Sequence, residues 1–145
     1  MIYIIFSDIH SNLEAFQAVL EDCKTLDNAP HIILGDLVGY GANPNETIEK
    51  VLELKPKVCL RGNHDKVAAG LESAEEFNAI AQIAADWTQR TLTGKNKEYL
   101  QSLSNGPIDV DGEFLASHGS PIDEDEYIFT DHEALQVFQH WEFDI

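Results

Sequence analysis

The chain has 145 residues, 43% of them hydrophobic and 24% charged, a length that suits one compact domain and a composition too apolar for disorder. Twenty-six acids against nine bases leave a net charge of −17. A field of that sign repels phosphate backbones and anionic lipid, which weighs against a general nucleic-acid or membrane-surface binder and requires recruited cations for any phosphate chemistry. No apolar run approaches the ~18 residues of a membrane span. The opening apolar run breaks at Ser7 and Asp8, too short for a secretory leader, and Cys23 and Cys59 have no paired spacing, so a reducing, cytoplasmic setting is the expectation. After Lys97 the chain carries twelve acids and no base, which reads first as a solvated acidic face.

Ile2 to Phe6 is a β-branched and aromatic run fit for a short buried strand. Ser11 and Glu14 then match a capping box opening a helix whose apolar stripe is Leu13, Phe16, Leu20 and Cys23. His31 to Leu34 predicts a second strand ending at Gly35. A Gly-rich loop follows, then a helix with Ile48, Val51 and Leu52 inward, stopped before Pro56. Val58 to Leu60 predicts the third strand. Ser73 with Glu76 predicts the start of a long helix with Phe77, Ile80, Ala81, Ala84 and Trp87 on one face, and Tyr99, Leu100 and Leu103 mark the next. Beyond Pro107 the period changes to two: Ile108 and Val110, an Asp111-Gly112 turn, then Phe114 and Ala116 predict an antiparallel hairpin. Thr130 and Glu133 predict a last helix carrying Leu135 and Phe138. Phe143 and Ile145 begin a strand-like run at which the sequence stops. The expectation is one domain over residues 1–145, cut short at its C-terminus, with no internal repeat or linker.

The polar residues with chemical potential sit at strand exits. They are Asp8 and His10 after the first strand, Gly35 and Asp36 after the second, Gly62, Asn63, His64 and Asp65 after the third, and Ser117, His118 and Gly119 after the hairpin. Taken singly, each fits an ordinary strand end or surface turn. Together they place carboxylate, imidazole and amide donors where open α/β sheets bind ligands. That donor set suits Mn²⁺, Zn²⁺ or Fe, and one carboxylate between two cations can hold them ~3.5 to 4 Å apart.

In this order the blocks resemble the calcineurin-like metallophosphoesterase superfamily, whose signature runs Asp-x-His, Gly-Asp, Gly-Asn-His-Asp/Glu, His and finally Gly-His-x-His. The first four are present between residues 8 and 118, most like the small bacterial and archaeal phosphoesterases. The resemblance implies an α/β fold of two packed mixed sheets flanked by helices, the second sheet incomplete here. It implies a cytoplasmic hydrolase acting on a small phosphodiester, phosphomonoester or nucleotide through a hydroxide activated by two divalent metals, Mn²⁺ first and Zn, Fe or Ni as alternatives. By position, one metal would fall to Asp8, His10 and Asp36 and a second to the bridging Asp36, Asn63 and His118. His64, with a pKa near 7, would be the acid at the leaving group. The alternative is a non-catalytic binding or regulatory fragment with an incomplete metal site.

Two departures shape the expectations. Gly35-Asp36 continues as Leu37-Val38-Gly39-Tyr40-Gly41, without the Asp and Arg of the protein Ser/Thr phosphatases. Asp65 becomes the nearest candidate partner for His64 and Arg61 a candidate phosphate-binding cation. Gly-His-x-His is absent, and His132 and His140, eight residues apart on the last expected helix, read as exposed. Each metal would then lack one imidazole, which predicts weak metal affinity in this chain. Substrate recognition would fall to the loops Val38 to Asn45 and Pro121 to Ile128.

Overall fold

The computed structural model describes residues 1–26 and 28–140. Three short strands, β1 (Ile4–Phe6), β2 (His31–Ile33) and β3 (Val58–Cys59), form a parallel sheet in the order β1-β2-β3, with Ile5 opposite Ile32 and Ile33 opposite Cys59. The crossovers are helical: α1 (Leu13–Asp22) with a following 3₁₀ turn lies between β1 and β2, and α2 (Pro44–Leu54) between β2 and β3. Beyond β3 come α3 (Asn63–Ala69), α4 (Ala79–Thr91) and α5 (Gly94–Ser102), then the hairpin β4 (Ile108–Val110) and β5 (Phe114–Ala116), and α6 (Asp131–His140).

Strand alternation distributes β2 between two cores. Ile33 joins Phe16, Ile48, Val51 and Leu100 on the helical side, whereas Ile32 packs with Leu60, Val110 and Ala116 against the hairpin. Both isoleucines are fully buried, each by roughly 2 kcal/mol of apolar transfer. The hairpin thus forms a second small sheet over the first, as expected, and helices cover the other face. Its register, Ile108 to Ala116 and Val110 to Phe114, follows the Asp111-Gly112 turn, whose two residues have φ of 59° and 71°, the left-handed pair that a tight hairpin requires. Tyr3 meets Phe114 edge-on at 5.3 Å and donates to Asp111 Oδ2 at 2.8 Å, tying the sheets at this end.

Strand lengths and helix starts differ from the sequence expectations. β2 ends one residue early because the Leu34 carbonyl is used by His118 Nδ1, and β3 ends before Leu60, which bridges to Ser104 instead. Asn12 rather than Ser11 caps α1, accepting from Ala15 N. Ser11 is buried, and its own N–H is bonded to Leu37 O. Asn78 caps α4, accepting from Ile80 N and Ala81 N, so the Ser73/Glu76 pattern precedes the helix. The α4 face is also rotated: Ala81, Ala85 and Thr88 are buried while Ile80 and Ile83 are 75% and 71% exposed, because small side chains let α4 approach α3 closely. In α6 the Thr130/Glu133 box holds, with Glu133 N donating to Thr130 Oγ1 and Thr130 N to Glu133 Oε2, but Val137 is buried and Leu135 and Phe138 are exposed. The strand expected from Phe143 lies outside the described residues. Among the described residues, no helix is long and apolar enough to cross a membrane.

Candidate metal centre

The strand-exit loops are stitched to one another by backbone bonds. Asp8 N donates to Gly35 O, His10 N to Asp36 O, Ser11 N to Leu37 O and Gly41 N back to His10 O, all at 2.9–3.1 Å. This lacing holds Asp8, His10, Ser11 and Asp36 at positive φ, between 49° and 58°, a left-handed conformation that costs non-glycine residues about 1 kcal/mol or more each. Such strain persists only where surrounding contacts over-determine it, and it collects at functional sites. The third exit is as tight. A Cβ on Gly62 would lie 2.0 Å from Asp36 Oδ1, so only glycine lets the β3 exit approach the Asp36 carboxylate.

The donors converge on Asp36. Its Oδ1 accepts from His64 N at 2.9 Å, while Oδ2 lies 3.6 Å from Nε2 of both His10 and His118. The opposite ring nitrogens are fixed by main chain: His10 Nδ1 to Val38 O at 3.1 Å and His118 Nδ1 to Leu34 O at 3.0 Å. A carbonyl only accepts, so each Nδ1 carries the proton and each Nε2 presents a bare lone pair toward Asp36. Asn63 Oδ1 stands 3.2 Å from His118 Nε2 and Asp8 Oδ1 3.6 Å from His10 Nε2. Burial, then the Asp65 and Asp8 charges, push the Asp36 carboxyl up to about 8 against the lowering effect of the backbone bonds it accepts. The five residues expected as ligands thus lie in one contact chain, with donor chemistry that fits hard or borderline divalent ions.

His64 stands closer to this chain than the sequence implied. Ligand atoms of His10, Asp36 and His64 all lie within 4.8 Å of one another. The ring packs between Tyr40 at 4.7 Å, Phe77 at 4.5 Å and His10 at 4.8 Å between centroids. Burial, then the His10 and His118 rings, lower its pKa to about 4 rather than the expected value near 7, so the free site holds it neutral. Asp65 does not orient it. That carboxylate, fully buried, accepts from Val38 N and Gly62 N at 3.1 and 3.0 Å, bracing the two glycine loops, and His64 Nδ1 is buried without a partner among the described residues.

Arg61 is likewise not free for phosphate. It grips Glu124 in a two-point pair at 2.9 and 3.1 Å. Beside it the Lys66 side chain, 7% exposed, pairs with Glu72 at 3.0 Å, with Glu124 and with Asp125. This clamp fastens the 119–126 loop to α3, and sequence reasoning missed it because its partners lie about sixty residues apart. Three cavities border the donors: one of about 290 Å³ beside Asp8 and His118 and one of 390 Å³ beside His64, which share Asn63, Asp125 and Tyr127, and a third of about 540 Å³ on the Asp8, His10 and Tyr40 side. The expected recognition loops contribute Tyr40 on one side and Glu124 to Ile128 on the other. His132 and His140 are exposed on α6.

A profile of the calcineurin-like phosphoesterase family matches residues 1–144, and the chain belongs to that family. It is similar to a metallophosphoesterase of known structure from Sphaerobacter thermophilus, at 40% identity and a TM-score of 0.79 over 96% of this chain and 56% of that one. Among curated proteins it matches an uncharacterised protein of Methanocaldococcus jannaschii, MJ0912, at 40% identity over 137 residues, 88% of this chain and 54% of that protein. A hypothetical protein from Pyrococcus horikoshii, PH1004, shares the fold at 22% identity, with a TM-score of 0.78 over 97% of this chain and 65% of the other. The chain spans about half the length of the curated relative it matches.

Proposed function

We propose that the chain carries the ligand set of a dinuclear, metal-dependent phosphoesterase acting on small phosphate esters. The observation that supports this most is Asp36 Oδ2, 3.6 Å from two imidazole Nε2 atoms whose Nδ1 atoms are held by main-chain carbonyls. Asp36 would contact both cations, His10 and Asp8 one of them, His118 and Asn63 the other. Bound there, divalent ions such as Mn²⁺ would neutralise phosphoryl charge and bring the pKa of water toward neutrality.

The protein's own groups supply the rest. Asp65 and the glycine loops hold Asp36 in place. His64, neutral in the free site, gains basicity when an anionic phosphoryl group enters beside it, takes up a proton from solvent to become imidazolium, and gives that proton to the departing alcohol oxygen, returning to the neutral ring. Tyr40 and Phe77 fix its ring plane. The acidic cavity walls leave the donor cluster as the place where an anion is welcome. The test is hydrolysis of bis(p-nitrophenyl) phosphate by the chain with added Mn²⁺. Turnover that chelation and Asp36→Asn both abolish is expected, and turnover that survives chelation contradicts the reading.

A further inference from the structure

We propose that the cleft beside the donor cluster selects phosphate esters whose alcohol carries an ammonium cation, an inference that rests on the phosphoesterase reading above. The 390 Å³ cavity begins at Asn63 and His64 and is walled by the rings of Tyr40, Phe77 and Tyr127. Its outer lining is carboxylate: Glu72, Glu75, Glu76 and Asp125. The adjoining cavity adds Glu124 and Glu126. Among the described residues, neither cavity is lined by a lysine or arginine. The cations closest in sequence to the site, Arg61 and Lys66, are held by Glu124, Glu72 and Asp125. Glu75 and Glu76 make no ion pair among the described residues.

His64, 7% exposed, closes the inner end of the cleft. A phosphoryl group therefore finds positive charge only where the metals would sit. The remainder of the ester must lie along aromatic faces bordered by acids. A second anionic group, such as a further phosphate or a carboxylate, would be repelled there by the concentration of acidic side chains. An alkylammonium would gain from the ring faces and the carboxylates together. The same arrangement disfavours nucleoside polyphosphates within the range of substrates proposed above.

The test compares three p-nitrophenyl phosphodiesters with the Mn²⁺-loaded chain. Their second alcohols are choline, its neutral 3,3-dimethylbutyl isostere, and a carboxylate-bearing analogue of equal length. We expect kcat/KM to favour choline over the neutral isostere by about ten-fold, with the carboxylate poorest and the spread narrowing as salt is added. The double variant Glu75→Gln, Glu76→Gln, at exposed positions, is expected to bring the choline-to-neutral ratio several-fold closer to one. Binding is read separately, by calorimetric titration of phosphocholine and of 3,3-dimethylbutyl phosphate. If turnover is absent for all three esters, the phosphoesterase reading fails while the binding ratio still decides the selectivity. Equal affinities, or an unchanged ratio in the double variant, overturn the proposal.

Discussion

The loops at the strand exits and the acidic segment that follows the hairpin face the same cavities but are anchored to the molecule by different means. The Asp8–Gly41 loops are laced to one another by main-chain bonds, glycine contacts and buried carboxylates. The 119–126 loop closes on itself through Ser120 and the close approach of Gly119 to Glu124 O, and partly exposed ion pairs to Arg61 and Lys66 fasten it to its surroundings. Main-chain lacing and close packing set positions to fractions of an ångström and tolerate no added atom. Ion pairs near the surface set charge and approximate position. The donors belong to the first kind of construction and the specificity surface to the second.

Substitutions should separate the two. The largest effect is expected from Gly62→Ala, whose new methyl would press on Asp36 Oδ1 and, at 2.6 Å, on its backbone nitrogen. We expect about 3 kcal/mol of lost stability and loss of Mn²⁺ binding, read by urea denaturation and metal titration. Lys66→Met should cost less, about 1–2 kcal/mol, because its acidic partners are partly solvated. It should leave metal affinity nearly intact while raising KM, which steady-state kinetics would separate from kcat. Ile83→Lys on the outward face of α4 should move stability by no more than about 0.5 kcal/mol.

A pH titration probes the same contrast without mutation. Folding raises the Asp36 carboxyl to about 8 and Asp65 to about 6, chiefly by burial, so the metal-free native chain binds protons that the unfolded chain has released. The stability tied to these groups is intact below about pH 4 and is lost as pH climbs toward 8. Thermal melts in chelator should show Tm falling over that range, and Mn²⁺ should flatten the fall. A Tm that rises with pH in chelator would contradict the burial of charge assigned to Asp36.

The contrast also explains what could be read from sequence. That Asp8, His10, Asp36, Asn63 and His118 lie near one another was legible because each follows a short apolar strand: parallel topology brings the exits of β1, β2 and β3 together, and the hairpin packed on that sheet adds His118. The hairpin was legible from Asp111-Gly112 and the two-residue alternation of Ile108, Val110, Phe114 and Ala116 on either side of it. The α4 face was not, because Ala81, Ala85 and Thr88 are buried by close approach to α3, while the larger Ile80 and Ile83 project outward; hydrophobicity pointed to the wrong side. Ser11 gave up the cap of α1 to Asn12 because its N–H is bonded to Leu37 O, whereas Asn78 caps α4 by an equally local bond that the Ser73 pattern overshadowed. The Arg61–Glu124 and Lys66–Asp125 clamp joins residues about sixty positions apart and has no local signature. Asp65 looked like a partner for His64 by adjacency, yet two backbone N–H groups hold it.

The most direct test of the donor cluster is calorimetric titration of the chelator-stripped chain with Mn²⁺, run beside Asp36→Asn. The account predicts saturable binding that Asp36→Asn removes from both sites at once, since that carboxylate is proposed to touch each cation. Binding that persists undiminished in Asp36→Asn, or its absence from the unaltered chain, would contradict it.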